Sequence, residues 1–249
     1  MIPLSSSRPS GFQTAFARVE RLRRAGQPAG AEQLCRQLLQ QQPASVAVLN
    51  ALAMLLADRG QLGEAKALLQ SAVSLSPDEA ALHNNLGNLL YQDGDMTGAE
   101  QAYRKAVALK GDYAESWFNL GVARSALDRR EDAFIAYERV VAIAPDYWPA
   151  QVQIGAMLHQ KGDNDAALKA LDASMPAAAD YYDAHYYRGT VLQALKRHDD
   201  AMAAFAKAIA LKPLRFEAHY ALAGTLAATG REDEAIRSYK RAIEAQPDY

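Results

Sequence analysis

Counting 34 residues at a time from Ala31 lands on Ala65, Ala99, Ala133, Ala167, Ala201 and Ala235, with no insertion or deletion. A register kept this strictly means that the chain is a run of equal units, each set against its neighbours in the same way. The same step through Pro145 reads Pro43, Pro77, Gly111, Pro145, Ala179, Pro213 and Pro247. A residue that cannot continue a helix therefore closes most of the units. A third register, Val19, Ala53, Gly87, Gly121, Gly155, Gly189 and Ala223, holds only small residues after the first.

The unit itself is legible in Ala114–Pro145. Trp117, Leu120, Gly121 and Arg124 fall at i, i+3, i+4 and i+7, and Ala133, Tyr137, Val140 and Ala144 at i, i+4, i+7 and i+11. These are two amphipathic helices separated by the polar run Asp128-Arg129-Arg130. One such hairpin cannot cover both apolar faces, so like units must stack on either side. Glycine inside a helix costs roughly 1 kcal/mol relative to alanine, so a glycine register marks a close helix contact. The expectation is that small residues meet there, Gly121 against Ala133, with Trp117, Leu120 and Tyr137 filling the space around them. Gly26, Gly60, Gly94, Gly162 and Gly230 share one register as helix C-terminal glycines. Glu131, Asp165, Asp199 and Asp233 open the following helices, where the dipole favours acids. Pro176 predicts that the second helix of the fifth unit stops near Met175.

The period and this set of marks resemble the tetratricopeptide repeat. The resemblance covers residues 12–249 and implies an all-α fold, a right-handed α-solenoid of about seven helix-turn-helix units starting near 12, 46, 80, 114, 148, 182 and 216. A Ser- and Pro-rich segment, 1–11, precedes them and is expected to be a flexible lead-in. The opening aromatic of the repeat is Trp only at Trp117; it is His at His83, His185 and His219 and is lost at Ala15, Leu49 and Gln151. Histidines in that column are expected to pack and bond locally. Tyr113, Tyr147, Tyr181 and Tyr249 form another column, just before first helices, where they staple the chain entry.

Composition narrows the function. Half the residues are hydrophobic with no strand-type alternation, which fits an all-α chain. A net charge of −2 and a pI near 6.2 give no general attraction for nucleic acid or anionic lipid. No run of about 18 apolar residues is present and the N-terminus lacks the apolar stretch of a signal peptide, so no membrane association and a cytoplasmic location are expected. The arginines of the first repeat, Arg18, Arg21, Arg23 and Arg24, read as a solvated capping face. Cys35 reads as a small core residue. Acid pairs such as Asp199-Asp200 and Glu131-Asp132 sit at helix starts, and no nucleophile triad, phosphate loop or metal-ligand spacing occurs. Neither an enzyme nor a cofactor is expected.

The resemblance implies instead a protein-interaction scaffold that holds an extended polypeptide in a groove lined by first helices. The family's terminal-carboxylate clamp needs a lysine at the register that here reads Phe16, Asn50, Asn84, Phe118, Val152, Tyr186 and Tyr220, so that mode is rejected. One residue on, Asn85, Asn119 and Gln153 are three consecutive amides, able to donate to and accept from a peptide backbone. Asn84, Asn88 and Phe118 beside them, and Tyr186 and Tyr187 further along, complete the candidate groove residues. The segment ALHNNLGNLLYQDGDMTGAEQAYRKAVAL is similar to the repeat arm of O-linked N-acetylglucosamine transferases, whose asparagine ladder recruits protein substrates. The alternative expectation is accordingly the substrate-recruiting arm of a larger glycosyltransferase, sulfotransferase or oxygenase. Tyr249 ends the last register without a polar capping helix, so self-association through that end is also expected.

Overall fold

The computed structural model describes residues 11–246. Residues 1–10 of the expected lead-in, Pro247, and Tyr249, at which an uncapped end is expected, lie outside the described residues, and Gly11 already begins a helix. Among the described residues all regular structure is helical, in two compact units, Met1–Arg130 and Glu131–Tyr249.

The first unit holds α1 (Gly11–Arg24), α2 (Pro28–Gln41), α3 (Val46–Asp58), α4 (Leu62–Leu75), α5 (Ala80–Gln92), α6 (Met96–Leu109) and α7 (Ala114–Ala126). Each helix packs on the next, and the first helices of successive repeats also touch, α3 on α5 and α5 on α7. The second unit contains α8 (Arg130–Ile143), which starts at the last residue of the first, then α9 (Trp148–Gln160), α10 (Asn164–Ser174), α11 (Tyr182–Ala194), α12 (His198–Leu211), α13 (Phe216–Ala228) and α14 (Glu232–Ala245). From α9 onward the same pattern holds, α9 meeting α11 and α11 meeting α13. α10 stops at Ser174, as Pro176 requires.

Every alanine from Ala31 to Ala201 in the founding register is wholly buried, and Ala235 nearly so. At the glycine column the nearest neighbour is a large side chain of the second helix, which the sequence expectation of small residues meeting there does not specify. A Cβ on Gly87 would lie 2.5 Å from Cε1 of Tyr103, one on Gly155 2.5 Å from Cγ of Leu171, and one on Gly189 2.5 Å from Cε1 of Phe205. The missing side chain of the first helix is thus replaced by a large side chain of the second, lying flat on the helix backbone. Cys35 shares the register of these large residues, is fully buried, and burial pushes its thiol up to about 11.

Two kinds of link join one repeat to the next. In the column of Trp117, a ring or amide nitrogen reaches back to the carbonyl six residues earlier. Trp117 Nε1 donates to Gly111 (3.0 Å) and Gln151 Nε2 to Pro145 (2.5 Å), while His83, His185 and His219 place Nε2 at 2.8, 2.9 and 3.0 Å from Pro77, Ala179 and Pro213. A carbonyl only accepts, so each histidine carries its proton on Nε2. The second link is ionic: Glu32 takes Arg59, Lys66 takes Asp93 (3.6 Å), and the 5% exposed Glu100 takes Arg124 and Arg129 (3.3 and 2.8 Å).

The turn glycines all have positive φ, and at the same register Asp128 and Lys196 are forced to 56° and 59°. A lysine there carries a Cβ penalty that glycine lacks. Lys196→Gly should raise stability by about 0.5–1 kcal/mol, read as a higher urea midpoint. Gly189→Ala should destabilise by about 1–3 kcal/mol through overpacking on Phe205, against its helix propensity. Gly224→Ala, whose nearest neighbours would be 3.7 and 3.8 Å away, should gain up to roughly 1 kcal/mol. Equal shifts for the two glycine variants would refute the packing described here.

Candidate functional site

In the first unit, α3, α5 and α7 present one face, and a chain of carboxamides crosses it. Its polarity is set at one end by the Glu115 carboxylate, which can only accept. Asn84 Nδ2 donates to Glu115 Oε1 (3.3 Å), which turns Asn84 Oδ1 toward its neighbours. That oxygen accepts from Ser116 Oγ (2.8 Å) and from Asn119 Nδ2 (3.2 Å). The other hydrogen of Asn119 Nδ2 goes to Asn88 Oδ1 at 3.0 Å. Asn88 Oδ1 also accepts from the Tyr103 hydroxyl at 2.8 Å. Burial pushes the Tyr103 phenol well above the usual tyrosine range, so it keeps the proton it donates. A second pair, Asn85 Nδ2 to Asn50 Oδ1 (2.8 Å), joins α5 to α3.

Both Asn119 hydrogens and the Asn88 oxygen are therefore engaged within the protein. What stays open is the Asn88 amino group, a double donor, and Asn119 Oδ1, an acceptor. These two residues, with Phe118, line a single depression of about 350 Å³. Asn84, a groove candidate from the sequence, is only 1% exposed: its register faces the following helix, where its polar atoms hold Asn119 in place. Asn85 is partly exposed on α5, and its Nδ2 donates to Asn50 while its oxygen stays open.

The remaining candidates belong to the second unit. Gln153 is partly exposed on α9. Tyr186 and Tyr187 on α11 touch each other, centroids 5.5 Å apart. Tyr186 is stacked on the buried Tyr182 (5.8 Å) and tilted against Phe205 (6.3 Å), so it forms the rim of a packed aromatic cluster. Burial also raises the Tyr187 phenol. Of the entry column, Tyr113, Tyr147 and Tyr181 each stand at the N-cap of their helix, and Tyr181 packs on Trp148 at 4.8 Å. Among the described residues no group of three or more His, Cys, Asp or Glu is placed to hold a metal ion, and no helix is long and apolar enough to cross a membrane.

Models of the tetratricopeptide repeat match residues 16–80, 50–114 and 158–215, and others of the same description match 192–249 and 114–147. The chain belongs to the tetratricopeptide repeat family. No curated protein matches it in sequence. Among solved structures it is similar to MamA, at 26% identity over 66% of this chain and 95% of that one, with a TM-score of 0.59. It is also similar to YrrB, a TPR protein with an unusual peptide-binding site, at 21% identity over 73% and 93%, TM-score 0.63. Pseudomonas aeruginosa pilF covers 83% of this chain and 94% of its own, at 16% identity and TM-score 0.78. The last two likenesses concern the fold alone.

In tetratricopeptide terms, Asn84, Asn85, Asn88 and Asn119 occupy first-helix registers, but Tyr103 is a second-helix core aromatic. The repeat pattern assigns it to packing, and its hydroxyl is what sequence reasoning missed. Ser116 and Asn50 were missed too, for lack of any signal beyond being polar on a first helix. Tyr103→Phe keeps the ring on Gly87 and removes one donor from Asn88. It should lower stability by about 0.5–1.5 kcal/mol in urea titration. An unchanged midpoint would mean that the Asn88 oxygen does not depend on Tyr103.

Proposed function

We propose that this chain is a protein-interaction scaffold whose first unit captures an extended polypeptide by its main chain, on the face of α3, α5 and α7. One observation carries the reading: the internal hydrogen bonds leave an Asn88 donor and an Asn119 acceptor open in one depression. A peptide group offers the complement, a carbonyl for Asn88 and an N–H for Asn119. Asn85 Oδ1 adds a further acceptor on α5. Because the amides are held before any ligand arrives, little side-chain freedom is lost on binding. Capture of this kind uses no side-chain charge, so ionic strength should matter little. The peptide-binding site of YrrB, in the same fold, is consistent with it.

The test is binding of a fluorescein-labelled pool of acetylated, amidated decapeptides of mixed sequence, read by anisotropy. The Asn88→Ala and Asn119→Ala variants should each weaken binding by about two- to twelve-fold, the equivalent of one hydrogen bond at about 0.5–1.5 kcal/mol. A double variant that keeps its helical circular dichroism and binds the pool as well as the parent would refute main-chain capture at this face.

A further inference from the structure

The depression beside the two open amides has walls of a different chemistry. Met54 from α3, Leu89 from α5, and Phe118 and Val122 from α7 supply apolar surface, with the Tyr103 ring beneath Asn88. Leu89 is 2% exposed and forms part of the floor, whereas Met54 and Val122 remain partly open to solvent. About 350 Å³ is the low end of ligand-binding cavities, which run from roughly 300 to 1,000 Å³. One large side chain fits it better than a cofactor-sized molecule does.

The charge at its edge is equally specific. Asp58 is the one ionisable carboxylate or cation lining the depression, and it is the last residue of α3. A negative charge in that position opposes the helix dipole. Asp58 has no hydrogen bond or ion pair among the described residues. Of the three arginines lining the adjoining cavity with it, Arg23 and Arg59 are held by Glu20 and Glu32, and Arg24 makes no ion pair with Asp58. The carboxylate is thus carried without structural return and faces the same depression as the amides.

We infer that the polypeptide taken up at this face inserts one large apolar side chain among Met54, Leu89, Phe118 and Val122 and sets a basic residue next to Asp58. The inference rests on the main-chain capture proposed above and adds selectivity to it. A peptide group bonded to Asn88 and Asn119 fixes the chain at the rim. Successive side chains of an extended strand point to opposite faces, so one residue beside that group enters the depression while its neighbours stay outside. A neighbour carrying a positive charge meets Asp58. The face is therefore not indifferent to sequence, unlike a ladder of amides alone.

Three fluorescein-labelled, acetylated and amidated peptides test this with the full chain at low salt, in a Gly/Ser background. One has a central phenylalanine flanked by lysines, the second alanine flanked by lysines, and the third phenylalanine flanked by glutamates. The first should bind about tenfold more tightly than the second, the effect of burying most of one aromatic side chain. It should bind about threefold more tightly than the third, as a solvent-exposed ion pair allows. Val122→Gln and Met54→Gln should each bring the phenylalanine-to-alanine ratio toward one, and Asp58→Asn should remove the preference for lysine. Equal affinities for the phenylalanine and alanine peptides overturn the pocket. If Asn88→Ala with Asn119→Ala then weakens both peptides alike, capture stands without it. If the tenfold ratio is present and that double variant changes neither affinity, the pocket stands and main-chain capture falls.

Discussion

The spacing between the two helices of a repeat depends on a large side chain lying on a bare glycine. Gly87 under Tyr103, Gly155 under Leu171 and Gly189 under Phe205 are versions of one contact, in which a single added methyl carbon would collide at 2.5 Å. Helix propensity opposes each glycine by roughly 1 kcal/mol, so close packing must outweigh it. With that spacing fixed, the inter-repeat links follow. The Trp117 column ties each turn to the helix after it, and ionic pairs such as Glu100 with Arg129 tie a second helix to the next repeat.

In the third repeat, α5 with α6, the same contact also makes the candidate site. Tyr103 rests its ring on Gly87 and gives its hydroxyl hydrogen to Asn88, the next residue of α5. Leu171 and Phe205 fill the same register without a hydroxyl, so their repeats have no counterpart of this bond. From the opposite side, Glu115 fixes Asn84, Asn84 fixes Asn119, and Asn119 fixes Asn88. Each step is compelled by what the previous atom can still do, since a carboxylate accepts only and an amide nitrogen donates only. Leaving the buried Asn84, Ser116 or Tyr103 unpaired costs more than its bond contributes, which holds Asn84 and, through it, the carboxamides beside it in one orientation.

Much of this was legible in the sequence because repetition averages out local ambiguity. The 34-residue register identified the helix pairs, the positive-φ turn glycines and the stop before Pro176, and the histidine column was rightly taken as local hydrogen bonding. The partner of the glycine column was not legible. A register of small residues says that something comes close, not whether it is an alanine or a ring. Nor do Asn84 and Asn85 differ in type, yet one is 1% exposed and the other partly open. About 100° of helix rotation separates them, and only the position of α7 decides which is covered. The ionic registers were missed because their members change sign from repeat to repeat, Glu32, Lys66 and Glu100, so no column shows them.

The central claim is the orientation of the carboxamides before any ligand binds, and the exchange of their own side-chain hydrogens with solvent measures it directly. In the free protein, resolved by NMR, the Asn119 amino hydrogens should exchange slowly because Asn84 and Asn88 hold both. Those of Asn88 should exchange at close to the rate of an exposed amide. Asn88 and Asn119 hydrogens exchanging at the same rate, whether fast or slow, would contradict the account.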